Sequence, residues 1–263
     1  LDKHALKPEL VTGTSIGAVV GAWYCLHGTS IGLASMAHDL FESELFHKLD
    51  LDDLIEDEAK EHDSFEQFSR RTKVFFTISR MVRRMSVVGP GFMEEVMEIL
   101  FGDATFDDLA IPFVAVATDL YTGEDVALST GSLATAVQAS ASIPGVFSPI
   151  PLNDWLLVDG YVTKNVPVPE PGEPPFRADV LAVDVQRRLE SRGPWENGIE
   201  VVSRAEWIMQ IQLNRYFLEQ ADLVLVPEVG NVHWADFRRI DELIEAGRRS
   251  AKNQKDQIAR LFG

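Results

Sequence analysis

The sequence is short of cysteine, of positive charge and of long apolar runs. Its one cysteine, Cys25, forms no internal disulfide, and no Cys/His cluster has the spacing of zinc ligands. No apolar stretch approaches the roughly 18 residues that a membrane-spanning helix needs. Residues 1–8 show no targeting signal and do not begin with Met, so the sequence is expected to start inside a longer chain. Lys and Arg total 24 against 41 Asp and Glu, a net charge of −17. A surface that acidic repels phosphate backbones, which argues against a nucleic-acid partner. What is present is ordinary globular composition, 46% hydrophobic and 25% charged, with 263 residues to build one large α/β domain.

Short apolar runs alternate with helical patterns. Residues 9–12 read as the end of a strand, running at once into a small-residue helix over 15–26. Residues 111–118 are nearly all apolar, as in a strand buried on both faces, and 124–129 form its hairpin partner across Thr122-Gly123. Residues 132–140 read as a helix, 155–158, 179–185 and 221–226 as strands, and 200–219 and 236–262 as helices. This alternation predicts a mostly parallel sheet between helix layers, the three-layer α/β class. The proline-rich stretch 168–176 predicts a rigid surface loop. Residues 41–102 differ: an acidic stretch (50–66) precedes Arg70, Arg71, Lys73, Arg80, Arg83 and Arg84, interleaved with Phe75, Phe76, Ile78, Met81, Val82 and Met85. That pattern fits a solvated helix packed on the sheet, or a basic amphipathic lid that touches anionic lipid head groups.

Gly13-Thr14-Ser15-Ile16-Gly17 is a Gly-x-Ser-x-Gly pattern. A serine on a sharp strand-to-helix turn needs small neighbours, and the helix that follows points free N–H groups at a developing oxyanion. The pattern arises by chance in roughly one chain of this length in ten. Here it occurs twice, the second time as Gly28-Thr29-Ser30-Ile31-Gly32. Context separates the copies. The first follows a strand pattern and precedes a helix of Ala18, Val19, Val20, Gly21 and Ala22. The second follows that helix, so Gly28 reads as its C-cap and Thr29 or Ser30 as the cap of the next. Ser15 is the candidate nucleophile, and Ser30 reads as structural.

A serine needs a base. Of the histidines His4, His27, His38, His47, His62 and His233, only His233 is late enough for the Ser–Asp–His chain order of an α/β hydrolase. Asp159 competes with it. It ends the run Trp155-Leu156-Leu157-Val158 and precedes Gly160, so it projects from the C-terminal end of a strand, where ligand sites form in open α/β sheets. Asp-Gly alone also suits a plain turn.

The residues around both candidates resemble a family. Val11-Thr12-Gly13-Thr14-Ser15-Ile16-Gly17-Ala18 is similar to the nucleophile elbow of patatin-like phospholipases. Ala117-Thr118-Asp119-Leu120-Tyr121-Thr122-Gly123 resembles that family's mid-sheet segment, and Ala139-Ser140-Ala141-Ser142-Ile143-Pro144-Gly145-Val146-Phe147 the loop that walls its site. Leu157-Val158-Asp159-Gly160, followed by Asn165-Val166-Pro167, resembles the block that carries the family's catalytic aspartate. Residues 221–248 are similar to its closing strand and helix.

The resemblance implies one patatin-like domain over 1–263, with 41–102 as a variable helical insertion. It implies a Ser–Asp dyad without histidine, needing no metal or cofactor. Ser15 attacks an ester carbonyl, Asp159 takes its proton, and water later releases the acyl group. Gly13, Ile16 and Gly17 make the elbow; the family's glycine-rich oxyanion loop falls upstream of Leu1. To act as a base Asp159 needs burial that raises it above the usual carboxylate value. Trp155, Leu157 and Pro144 are candidates for that dry setting, beside Gly160, with Asn165 orienting the loop. Tyr161 stands where the family has a small residue, and either narrows the acyl pocket or lends a hydroxyl. The implied activity is hydrolysis of phospholipid or lysophospholipid esters by a cytoplasmic protein that meets membranes peripherally, through 70–85. The alternatives are acyl transfer from the same serine and a catalytically silent lipid-binding scaffold.

Overall fold

The structure is a computed structural model describing residues 1–47, 86, 88–89, 91–169, 179–186, 188–189, 195, 198–230, 232 and 236–262. The basic segment at 70–85, most of the 168–176 loop and His233 lie outside the described residues. In chain order the elements are β1 (Val11–Gly13), α1 (Ile16–His27), α2 (Leu33–Phe41), the single turn α3 (Glu44–His47) and α4 (Phe92–Phe101). Next come β2 (Phe113–Asp119), β3 (Asp125–Leu128), α5 (Leu133–Ser140), β4 (Ile150–Leu152) and β5 (Trp155–Asp159). The order ends with β6 (Leu181–Val183), α6 (Gly198–Leu218), β7 (Leu223–Leu225), α7 (Ile240–Asn253) and α8 (Lys255–Leu261).

The class is α/β, but the strand pairing is mixed rather than mostly parallel. β1–β2 and β6–β7 are parallel, whereas β2–β3, β2–β5 and β4–β5 are antiparallel. The reason is local. Residues 120–124 and 153–154 are too few to carry a crossover, so each joins a hairpin. Asn153 takes the left-handed backbone (φ +53°) that a tight hairpin turn requires. β4, which escapes the sequence reading, is three residues long and contains Pro151, as edge strands tolerate.

The register of β2 positions everything else. Ala115 pairs with Gly13 of β1 and with Leu128 of β3; Ala117 pairs with Asp159 of β5 and with Val126 of β3. Since β3 occupies one edge of β2 at both places, β1 and β5 share the other edge. They approach from opposite ends, and their C-terminal tips arrive two residues apart, about 6–7 Å along the strand.

Small residues let α1 lie close on this sheet. Ala18, Ala22 and Cys25 are fully buried, and a Cβ on Gly21 would stand 2.9 Å from the Phe113 ring. With Leu133, Val137 and Ala139 of α5 and Met97 of α4 they form the main core, each large side chain contributing about 1.5–3 kcal/mol. Burial pushes the Cys25 thiol up to about 12, so it packs as a small hydrophobe. A smaller cluster of Val168, Ala182 and Phe217 sits beneath β6, β7 and α6.

Gly28 closes α1 in the left-handed conformation, its N–H on Tyr24 O at 2.8 Å. Thr29 and Ser30 do not cap α2, whose N-cap is Gly32 without a side-chain bond. Asp2 binds them instead: its Oδ2 accepts from the Ser30 amide (2.6 Å), the Ser30 hydroxyl (2.7 Å) and the Thr29 hydroxyl (3.2 Å). Those bonds, the Ser30 amide first, pull the Asp2 carboxyl down to about 2.

Candidate active site

Ser15 sits at the corner between β1 and α1 with φ +56° and ψ −126°, a backbone conformation that costs a non-glycine residue energy. Two neighbours enforce it. A Cβ on Gly13 would lie 2.4 Å from the Gly17 carbonyl oxygen, so only glycine lets the first helical turn close over the strand end. The Ser15 amide is held by Ser140, through its carbonyl at 3.1 Å and its Oγ at 3.2 Å. Ser140 is fully buried and donates its own hydroxyl to Val116 O at 2.6 Å, tying the corner to the middle of β2. The amides of Gly17 and Ala18 fold back onto Thr14 and Ser15 carbonyls. The Ile16 amide stays at the helix tip with no acceptor among the described residues, and the Ile16 side chain is exposed. Gly17 is exposed, and a Cβ there meets nothing within 4 Å, so the second glycine of the pattern is not demanded by space.

Asp159 ends β5, fully buried. Its amide donates to Ser142 O (2.9 Å) and its Oδ1 accepts from the Tyr161 amide (2.9 Å). Oδ2 is buried with no hydrogen-bond partner among the described residues. Loss of hydration raises this carboxyl from 3.8 to about 7, opposed by the nearby Ser15 hydroxyl and the Tyr161 amide. The Ser15 hydroxyl is thus close enough to act on the carboxylate, yet no closed hydrogen bond reaches Oδ2. Gly160 follows because a Cβ there would lie 2.2 Å from Val116 O. One β2 carbonyl therefore receives the Ser140 hydroxyl and excludes any side chain at Gly160.

The remaining expected residues are placed differently. Trp155 stands at the far end of β5 and is 38% exposed, so it does not dry Asp159. Leu157 is fully buried on the same face of the strand as Asp159. Pro144 is half-buried and bridged to Phe147; the carbonyl its loop brings to Asp159 is that of Ser142. Asn165 makes no side-chain hydrogen bond among the described residues. Its neighbours hold the loop: Thr163 Oγ1 meets Thr118 Oγ1 at 2.8 Å, and Lys164 O accepts from Thr14 Oγ1 at 2.9 Å. The Tyr161 hydroxyl donates to Glu206 Oε1 of α6 at 3.0 Å. Burial first, then Glu206, pushes that phenol upward, so it stays protonated. Cavities of about 340 Å³ (beside Asp184 and Asn214) and 270 Å³ (beside Met36 and Leu100) lie elsewhere. Among the described residues no acidic, His or Cys cluster could hold a metal, and no helix is long and apolar enough to cross a membrane.

The sequence profile of patatin-like phospholipases matches residues 1–171, which contain β1, the Ser15 corner, β2 and Asp159. The chain belongs to the patatin-like phospholipase family. An uncharacterised NTE family protein of Mycobacterium bovis is 27% identical over 191 residues, covering 62% of this chain and 32% of that protein. Another, of Mycobacterium tuberculosis, is 35% identical over 117 residues, covering 44% of this chain and 31% of that protein. Lysophospholipase NTE1 of Meyerozyma guilliermondii is 22% identical over 276 residues, covering 94% of this chain and 17% of that protein. The chain spans about a third of the length of these mycobacterial relatives. Within the patatin-like region, sequence reasoning missed Ser140, whose only signal was the small-residue run of 139–142. It also missed Glu206, one acid on a long helix with no local mark of a partner 45 residues away.

Proposed function

We propose that this patatin-like protein is a serine lipid acyl hydrolase, cleaving carboxylic esters of phospholipids or lysophospholipids with Ser15 as nucleophile and Asp159 as general base. The observation that carries the reading is the pairing of a strained serine with a buried carboxylate whose Oδ2 is unsatisfied and whose pKa is about 7. Asp159 takes the Ser15 proton as Oγ bonds to the ester carbonyl carbon. The resulting oxyanion is met by the Ile16 amide and the positive end of α1. As the tetrahedral intermediate collapses, the ester C–O bond breaks and the proton on Asp159 passes to the departing alcohol. Water then attacks the acyl-serine, giving its proton to Asp159 and on to Ser15, and a fatty acid leaves. The sequence likeness to a lysophospholipase supports the substrate class. On this reading residues 1–263 act as one patatin-like domain that works from the cytoplasm and meets lipid peripherally.

Fatty-acid release from micellar lysophosphatidylcholine tests the proposal. Wild type should turn over, whereas Ser15→Ala and Asp159→Asn should each lose at least about 10³-fold in kcat. Undiminished turnover in Ser15→Ala would remove Ser15 from the reaction. Appearance of the acyl chain on an added alcohol, with little free acid, would make the enzyme a transferase.

A further inference from the structure

The turn after Asp159 is fastened to α6 by two side chains one helical turn apart. Glu206 accepts from the Tyr161 hydroxyl at 3.0 Å, and Gln210 Nε2 donates to Val162 O at 3.0 Å. Spaced i and i+4, they share one face of α6. Tyr161 is also the residue whose amide holds Asp159 Oδ1 at 2.9 Å, and no other hydrogen bond among the described residues ends on that carboxylate. The side chain and the amide of Tyr161 therefore connect α6 to the base through a single residue. We propose that Tyr161 and Glu206 are positioning residues: the Tyr161–Glu206 bond anchors the turn to α6 and keeps the Tyr161 amide aligned on Asp159. This rests on the reading of Asp159 as the base.

Tyr161 commits its hydroxyl proton to Glu206, so it acts through its amide and not on substrate. The charged and titratable groups around the turn are few. Ser15 and Tyr161 adjoin Asp159, and Glu206 lies beyond Tyr161. Lys164, at the end of the turn, is paired with Asp125 of β3 at 3.1 Å. Asp119 on β2 is occupied by the Leu156 amide at 3.0 Å. Releasing Tyr161 loosens one of the two contacts, beside that of the Ser15 hydroxyl, that favour ionised Asp159, so the base needs a higher pH to ionise and spends less time aimed at Ser15.

The test measures kcat and KM for lysophosphatidylcholine from pH 5 to 9, beside the rate at which a fluorophosphonate labels Ser15. Tyr161→Phe and Glu206→Ala should each lower kcat and labelling about tenfold, raise the pH midpoint and leave KM unchanged. Glu206→Gln still offers an oxygen to the Tyr161 hydroxyl and should keep most of the wild-type rate. If Tyr161→Phe lowers only the melting temperature, with rate and pH midpoint unmoved, the positioning role is overturned. A Glu206→Gln rate as low as that of Glu206→Ala would overturn it too, since the charge and not the bond would then matter. A wild-type protein that is neither labelled at Ser15 nor active overturns the dyad, and the positioning role with it.

Discussion

With Asp159 as the proposed base, folding and catalysis make opposite demands on it. The burial that brings its pKa from 3.8 to about 7 gives it the basicity to receive a serine proton near neutrality. The same burial makes its charged form unfavourable in the folded state. Between those two values the unfolded chain has released a proton that the folded protein still holds, so stability falls as pH rises. The contribution is complete below about pH 4, declines toward pH 7 and stays lost above it. Asp159→Asn removes this dependence and should be more stable than wild type at pH 8, by a few kcal/mol. Thermal melts of the two proteins from pH 5 to 8 check it; equal melting temperatures at pH 8 would show that Asp159 is not held in an unfavourable charge state. Asp119 behaves in the opposite sense. Burial acts to raise it, but the amides of Leu156, Tyr121 and Thr122 and the Thr122 hydroxyl outweigh burial and hold it below the ordinary value. Its support is present at neutral pH and is lost on acidification, as expected of a structural carboxylate. Ser15 and Asp159 were legible in the sequence because each stands beside a glycine at a strand end. Tyr161 stood out only as a departure from the family pattern, and its bond to Glu206, like the role of Ser140, was not legible, because each depends on partners that only the fold brings near.

The elements explain which small residues are obligatory. Gly13 and Gly160 each face a backbone oxygen within 2.4 Å of where a Cβ would sit, and Gly17 faces open space. Gly13→Ala and Gly160→Ala should destabilise by about 3 kcal/mol or more, because backbone must move, whereas Gly17→Ala, in a helix with open space around it, should be neutral or stabilise by up to about 1 kcal/mol. Urea unfolding separates the cases; equal costs at all three would contradict the close packing of α1 on β1. Ser140→Ala leaves the Ser15 amide only the Ser140 carbonyl and frees Val116 O. It should cost about 1–3 kcal/mol and slow Ser15 labelling severalfold, since the strained corner loses one of its two restraints. The helices and the β2–β3 hairpin could be read from periodicity and from Thr122-Gly123. The β4–β5 hairpin could not, because a three-residue strand carrying Pro151 has no periodic signature, and with it went the mixed pairing of the sheet.

Across the whole molecule, Lys164 links the parts. It is buried, its Nζ pairs with Asp125 of β3 and lies 5.4 Å from the Phe217 ring centre on α6, and its carbonyl holds Thr14 beside Ser15. Lys164→Ala should lower stability by about 2–4 kcal/mol, from the lost pair and lost packing. Denaturant unfolding that shifts by under about 0.5 kcal/mol would demote this link. The meeting of Ser15 and Asp159 is itself a property of the whole sheet, since it follows from β1 and β5 sharing one edge of β2. The most direct measurement of that meeting is to treat the protein with a fluorophosphonate and find the modified residue by peptide mass, with Asp159→Asn alongside. The dyad predicts phosphonylated Ser15 in wild type, at a rate that rises with pH through a midpoint near 7, and at least about 10²-fold slower modification in Asp159→Asn. Label on a different serine, or on Ser15 at the same rate in both proteins, would contradict it.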